Sequence, residues 1–400
     1  MRLTRLIRTA LSVMLLVTLA GCGAGSTTMK PKTSTASGPG SVKAGTITLF
    51  TKGLGPGGYP ESIVEGPGGN LWFIGNGGPY IGRITPSGII TEFPTGLNHG
   101  NFIMSLVVGP NGNIWFTDGG SPGAIGRITP AGVVAWFTKG LLPRSARSFL
   151  GQLVVGPDGN VWFIEQGNAT GSGGIGRITP SGVITVFTKG LTPQSIPNSI
   201  VVGPDGNLWF TTATAAIGRI TPSGGITLFT KGLLPDAQQW SIVAGSDGNL
   251  WFDTANFSSI PAIGRITPSG VITEFSKGLT SSKINSITVG PDGNLWFTDL
   301  SGAIGRITPA GVITEFTKGL SPANWPTSII AGPDGDLWFT AGCYGCPAPP
   351  AIGRITPSGV ITEFTKGLGN TPPSSMVVGP GGTLWFTGGG NGPAIGRLTP

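Results

Sequence analysis

Histidine occurs once in this 400-residue sequence, as His99, and cysteine three times, as Cys22, Cys343 and Cys346. A lone histidine with no identifiable partners leaves no Ser-His-Asp relay. Three cysteines, one of them near the N-terminus, fall short of the four ligands of a closed zinc site. No Gly-rich loop opens a helix, so a phosphate-cradling nucleotide site is excluded. Nothing beyond the N-terminus has useful helical periodicity, which excludes bundles and α/β folds. Charge is scarce too, at 10% of residues. The net charge of +7 is misleading, because Arg2, Arg5, Arg8, Lys30, Lys32 and Lys43 precede residue 45 with no acid among them. From residue 45 onward, 18 Lys and Arg face 17 Asp and Glu, so the body offers no electrostatic footprint for nucleic acid.

The N-terminus has the layout of an export signal. Three arginines precede a short apolar run, too short for a comfortable membrane span, and small residues follow. "LAGC" (Leu19 to Cys22) resembles a bacterial lipobox, which implies lipidation of Cys22 and cleavage before it. The expected layout is a lipoprotein signal over 1–21 and a flexible Ser/Thr/Gly/Pro tether over 22–44. The body then spans 45–400. Gly23, rather than an aspartate, follows the cysteine, which points to the outer membrane in a host with two membranes. The membrane is met through the lipid anchor alone.

What is abundant is glycine and proline, 71 and 35 residues. Without a period, that content would mean low complexity. Here it has a period. Aligning the chain on Trp72, Trp115, Trp162, Trp209, Trp251, Trp296, Trp338 and Trp385 gives gaps of 43, 47, 47, 42, 45, 42 and 47 residues. An "IGR" follows each tryptophan, and strand-like content at such a period indicates four-stranded propeller blades. In one unit, "NSITVG" reads as strand A, "PDG" as a turn, "NLWFTD" as strand B, "AIGRITP" as strand C and "VITEF" as strand D. The chain ends after a C strand, while "GTITLF" (Gly45 to Phe50) matches a D strand with no A, B or C before it. The expected fold is therefore an all-β, eight-bladed propeller. Residues 45–50 join its last blade, closing the ring and removing open edges.

The repeated letters read as scaffold. The tryptophans fill the wedge between blades, and the glycine of "IGR" permits close approach on a crowded strand. Treating Ser-Gly or Ala-Gly as a two-residue turn places Arg83 opposite Glu92, Arg265 opposite Glu274, Arg306 opposite Glu315 and Arg354 opposite Glu363. The same register sets Arg127 over Trp136 as a cation–π pair.

Function is expected where the repeats disagree. The A–B and C–D turns share one face and barely vary, whereas the B–C and D–A connections share the other and vary greatly. At the end of strand B, three residues after the tryptophan, stand Gly75, Asp118, Glu165, Thr212, Thr254, Asp299, Ala341 and Gly388. The starts of strand A carry Glu61, Met104, Gly151, Asn198, Trp240, Asn285, Thr327 and Ser374. Asp118, Glu165 and Asp299, with Asp253 nearby, are candidates for a cation or polar-ligand site. The alternative is that each is a solvated loop-edge carboxylate.

"GPDGNLWFTD" and "AIGRITPAGVITEF", with their copies, resemble the virginiamycin B lyase (streptogramin lyase) family over essentially all of 45–400. The resemblance implies a β-propeller, typically seven-bladed. It implies magnesium-dependent, ring-opening elimination on a cyclic depsipeptide ester. It also implies a histidine base at an A-strand start in a "P-H-x-I" context, and metal-binding glutamates in "WFTE" contexts. Here no A-strand start is histidine. His99 lies in a D–A connection, and the "WFTE" glutamate survives only as Glu165 in "WFIEQ", with Asp118 and Asp299 as shorter counterparts. A general base must reach its proton, and the motif places none. His99 and Glu61 are the remaining candidates. Cys343 and Cys346, in "CYGC", read as a loop-stapling disulfide in an exported protein. The sequence thus points to a non-catalytic module that binds a small molecule or an envelope protein on the variable face. The alternative is a lyase requiring Mg2+.

Overall fold

The computed structural model describes residues 44–400 apart from 56–57, 77–79, 98–101, 121–122, 143–148, 167–172, 194, 235–237, 256–260, 281–283, 343–347 and 391. Cys22, His99, Cys343 and Cys346 lie outside the described residues.

Thirty-two strands form eight four-stranded antiparallel sheets. Blades 1 to 7 begin at Tyr59, Ile103, Phe149, Pro197, Gln238, Ile284 and Pro326, and each contains strands A to D in chain order. Blade 8 takes A, B and C from Pro373–Leu398 and D from Ile47–Phe50. Its closing strand pairs Ile47 with Leu398 and Phe50 with Ile395. The Gly45 N–H donates to the Thr399 carbonyl at 2.8 Å just beyond. The A strands of successive blades touch all the way round, blade 8 against blade 1 included. This is the expected eight-bladed ring with the expected closure.

Strand B explains why the tryptophan recurs. "LWFTD" is buried along its whole length, because A and C flank it and neighbouring blades cover both its faces. All eight repeat tryptophans are at most 1% exposed. Each packs into the next blade, as Trp296 does against Ile329, Leu337 and Phe339. The "IGR" glycines are needed for a packing reason. A Cβ on Gly305 would stand 1.9 Å from the Phe297 ring, and the same clash recurs around the ring.

The expected arginine register is one residue off. Arg83 lies opposite Thr91, Arg265 opposite Thr273, Arg306 opposite Thr314 and Arg354 opposite Thr362. The glutamates lie opposite the glycines of "IGR" instead. The turn has three residues, not two: Thr85 N–H bonds the Ile89 carbonyl around Pro86-Ser87-Gly88, with Gly88 at φ 92°. That is the three-residue hairpin with a left-handed last residue. The added residue puts Thr91 and Phe93, rather than Glu92, on the face of Arg83, which already lies opposite Trp72 of strand B. Arg83 stacks 5.7 Å from the Trp72 centroid and 5.3 Å from that of Phe93. Arg127 lies over Trp115 and Phe137, not Trp136. Trp136 packs edge-on to Phe116 and donates to the Thr95 carbonyl. Seven arginines also donate to a prolyl carbonyl in the next blade's C–D turn, from Arg83 to Pro130 at 2.8 Å through Arg397 to Pro86 at 2.9 Å. Arg354 faces the seam, where chain ends replace that turn, and lies 3.6 Å from Asp336.

The "PDG" aspartate does more than turn the chain. Asp158, Asp205, Asp247, Asp292 and Asp334 accept the indole N–H of the tryptophan four residues on, at 2.9–3.1 Å. Burial pushes Asp158, Asp205 and Asp247 up. Hydrogen bonds from the neighbouring asparagine and tryptophan outweigh it and hold them below their ordinary 3.8.

Candidate functional site

Strand A carries a β-bulge at its variable-face end in every blade. In blade 6, Ile284 pairs with Asp299 and Ser286 with Thr298, leaving Asn285 as the extra residue. In blades 1 and 2 the extra residue is Glu61 and Met104. The A-strand starts singled out by the repeat alignment are therefore bulge residues, the backbone device that re-aims a side chain at a rim. Met104 and Asn198 are buried there, while Glu61, Trp240, Asn285, Thr327 and Ser374 are half-buried.

The candidate carboxylates are not solvated loop edges. Asp118, Glu165, Asp253 and Asp299 are each at most 4% exposed. Nor does the fold bring them together. They stand in blades 2, 3, 5 and 6, with Glu61 in blade 1. Each is engaged near its own strand end. Asp118 accepts the Gly120 N–H at 2.8 Å. Asp299 accepts the backbone N–H and hydroxyl of Ser301, both at 2.7 Å, and its other oxygen is buried without a partner.

Glu165 has a job that the repeats explain. In four blades the D-strand glutamate accepts the N–H of the first residue after the preceding Gly-Leu corner. Glu92 takes it from Gly55, Glu274 from Leu234, Glu315 from Thr280 and Glu363 from Ser321, at 2.9–3.1 Å. Blade 3 has Val186 at that D-strand position, and there the Leu142 N–H donates to Glu165 at 3.2 Å. The surviving "WFTE"-like glutamate therefore substitutes for a missing loop anchor.

Asp253 occupies a position held by threonine in five other blades. Four of those threonines donate to a bulge carbonyl of the next blade: Thr117 to Gly151, Thr298 to Thr327, Thr340 to Ser374 and Thr387 to Glu61, at 2.9–3.2 Å. An ionised carboxylate has no such proton to give. Asp253 accepts the Ser241 N–H (2.5 Å), as Thr211, Thr340 and Thr387 accept the equivalent serine N–H, and it takes the Trp240 N–H (3.2 Å) as well, fixing the bulge that presents Trp240. Burial pushes its carboxyl up to about 6, against the pull of those two donors. The alignment held the signal for this role, an acid in a column of threonines.

The resemblance implies Mg2+, and the described residues do not fit it. They contain no group of three or more His, Cys, Asp or Glu side chains able to share an ion. Among the described residues, the one buried unpartnered carboxylate oxygen, on Asp299, is a single donor where Mg2+ prefers near-octahedral oxygen ligation.

This is a closed eight-bladed propeller whose variable face has a rim of bulges and buried, locally bonded acids. The sequence model of the Virginiamycin B lyase family matches residues 40–189, 141–342 and 234–400, and the chain belongs to that family. Among solved structures it is similar to a virginiamycin B lyase from Staphylococcus aureus. That match has 32% identity and a TM-score of 0.59, over 89% of this chain and 100% of the other. A catalytically inactive histidine-to-alanine variant of the Staphylococcus aureus lyase with Quinupristin matches at 31% identity and TM-score 0.58, over 89% and 100%. A streptogramin B lyase structure matches at 26% and 0.56, over 88% and 97%. A comparison with curated protein sequences finds no match.

Proposed function

We propose that this protein is an exported, lipid-anchored propeller that binds a macrocyclic, peptide-like molecule at the mouth of its variable face without cleaving it. One observation carries the reading: the eight bulge positions that rim the mouth hold Glu61, Met104, Gly151, Asn198, Trp240, Asn285, Thr327 and Ser374, and none is a histidine. A base at that position is what the resemblance requires for elimination. Glu165, its nearest match to a metal-binding glutamate, is occupied by the Leu142 N–H. A ligand-retaining precedent exists in the inactive lyase variant solved with Quinupristin. The amide and hydroxyl groups of Asn198, Asn285, Thr327 and Ser374, with the Trp240 ring, suit a ligand of mixed polarity.

The test is incubation with quinupristin and magnesium, read by mass spectrometry and by equilibrium dialysis. The expected result is intact, retained quinupristin. Linear product that disappears in Glu165→Ala or Asp299→Ala would establish the second reading, a family lyase working with a rearranged acid set. Neither binding nor cleavage would reject the ligand class. Anchoring is tested separately: labelled fatty acid should be incorporated into the wild type and not into Cys22→Ser.

A further inference from the structure

The near-zero net charge of the body conceals how its charges are sorted. Among the described residues, every exposed lysine lies on the variable face, one at each D–A corner from Lys52 to Lys366, seven in all. The corner before blade 2 has Thr95 in that place. Every exposed acid among the described residues lies on the opposite face: Glu65, Asp158, Asp205, Asp292 and Asp334. The described acids on the lysine side are half-buried or buried, and Glu92, Glu274, Glu315, Glu363 and Glu165 accept backbone N–H groups. The repeat arginines are half-buried against aromatic rings. The propeller is therefore polarised along its axis. The lysine face also carries exposed aromatics beside its inner strands: Tyr59 (43%), Phe102 (38%) and Trp325 (45%).

We infer that the variable face docks on an anionic bilayer surface, with lipid phosphates against the lysine rim and the three aromatics in the interface. The arrangement favours a surface over a polymer. The lysines repeat one position around a ring, so they stand at one height on a circle. A plane meets all seven together, whereas a linear polyanion tracks a groove. Lysine with interfacial Trp and Tyr is the composition that settles at an anionic membrane boundary. The chain's route permits it. The N-terminal segment joins the outermost strand of blade 8, at the rim. A 23-residue tether can span at most roughly 75 Å, against roughly 23 Å for a seven-residue strand, so a chain anchored at residue 22 could reach either face. The inference holds whatever ligand the mouth takes.

The experiment uses the full chain with phosphatidylcholine vesicles, with and without brominated phosphatidylglycerol, and reads tryptophan quenching. The N-terminal segment is common to all variants, so sedimentation alone would not report the face. Quenching in the wild type should fall at least severalfold in Lys189→Gln, Lys231→Gln, Lys277→Gln, Lys318→Gln combined, and also in Trp325→Phe. It should weaken with added salt. All these side chains are exposed, and an unchanged melting temperature verifies the fold. Asp158→Asn, Asp205→Asn, Asp292→Asn, Asp334→Asn combined should leave quenching unchanged. Equal quenching in the lysine variant, or an increase in the aspartate variant, would overturn the inference. So would lysine-dependent binding to soluble polyphosphate with no lysine-dependent quenching on vesicles, which would assign a polymer instead.

Discussion

The two faces of the ring are made by the same eight repeats and obey different rules. On the turn face, letters answer to neighbouring blades. The arginine bonds the next prolyl carbonyl, a Cβ on the turn glycine would strike the preceding blade's phenylalanine, and the aspartate caps its own blade's tryptophan, which wedges against the next blade. Changing one letter disturbs two blades, so the letters agree. On the other face each connection answers mainly to itself or to one anchor residue, so letters diverge while the anchoring survives. Blade 3 shows how: Val186 lost the anchor and Glu165, on a different strand, supplies it. Divergence on this face is therefore not proof of function at each divergent residue.

The largest expected effect lies in the shared wedge. Trp296→Ala should cost about 3–5 kcal/mol, read by chemical denaturation. A loss under 1 kcal/mol would mean the wedge is not what couples blades.

Next is Asp253. Its folded pKa, about 6, lies above the ordinary 3.8. The stabilising contribution of the neutral carboxyl is therefore full below pH 4 and is lost as pH rises through 6. Asp253→Asn keeps an acceptor for Trp240 and Ser241 and adds a donor like that of the threonines. It should stabilise by about 3 kcal/mol above pH 7 and by little at pH 4, measured as melting temperature against pH.

The anchor swap sharpens the comparison further. Glu165→Ala should cost roughly 1.5–3 kcal/mol and speed hydrogen exchange at Leu142. Adding Val186→Glu should restore most of it, as Glu274 does for Leu234. No recovery would mean that Glu165 holds something other than the loop.

The smallest effect is expected on the turn face. Asp205→Ala removes one indole acceptor, at a cost of about 1 kcal/mol. The folded pKa of Asp205 is depressed, so that contribution is present above pH 4 and fades as pH falls through the folded value. Wild type and variant should converge in acid.

Blade count, strand order and closure were legible because the period and the missing D strand at the C-terminus are properties of spacing alone. The wedge was legible because a buried tryptophan every forty-odd residues has few other uses. The arginine register was misread for a physical reason: whether Pro86 belongs to strand or turn shifts every cross-strand partner by one, and composition does not settle it. The candidate acids were found, but not their burial. Whether a strand-end carboxylate meets water or a backbone N–H depends on a loop from another blade. The sorting of lysines from aspartates was present in the letters too, since Lys-Gly follows strand D in seven blades and Asp-Gly follows strand A in five. A net sum over the body erased it.

Closure by Ile47–Phe50 also sets a clock for biosynthesis. The first strand of the body pairs with Leu398, one of its last residues. At ribosomal speeds those 350 or so residues take roughly 20 to 70 s to make. Until then the opening strand has no partner and the seventh blade no neighbour on one side. The ring therefore gains its last stabilising seam only when the strand ending at Leu398 has been made.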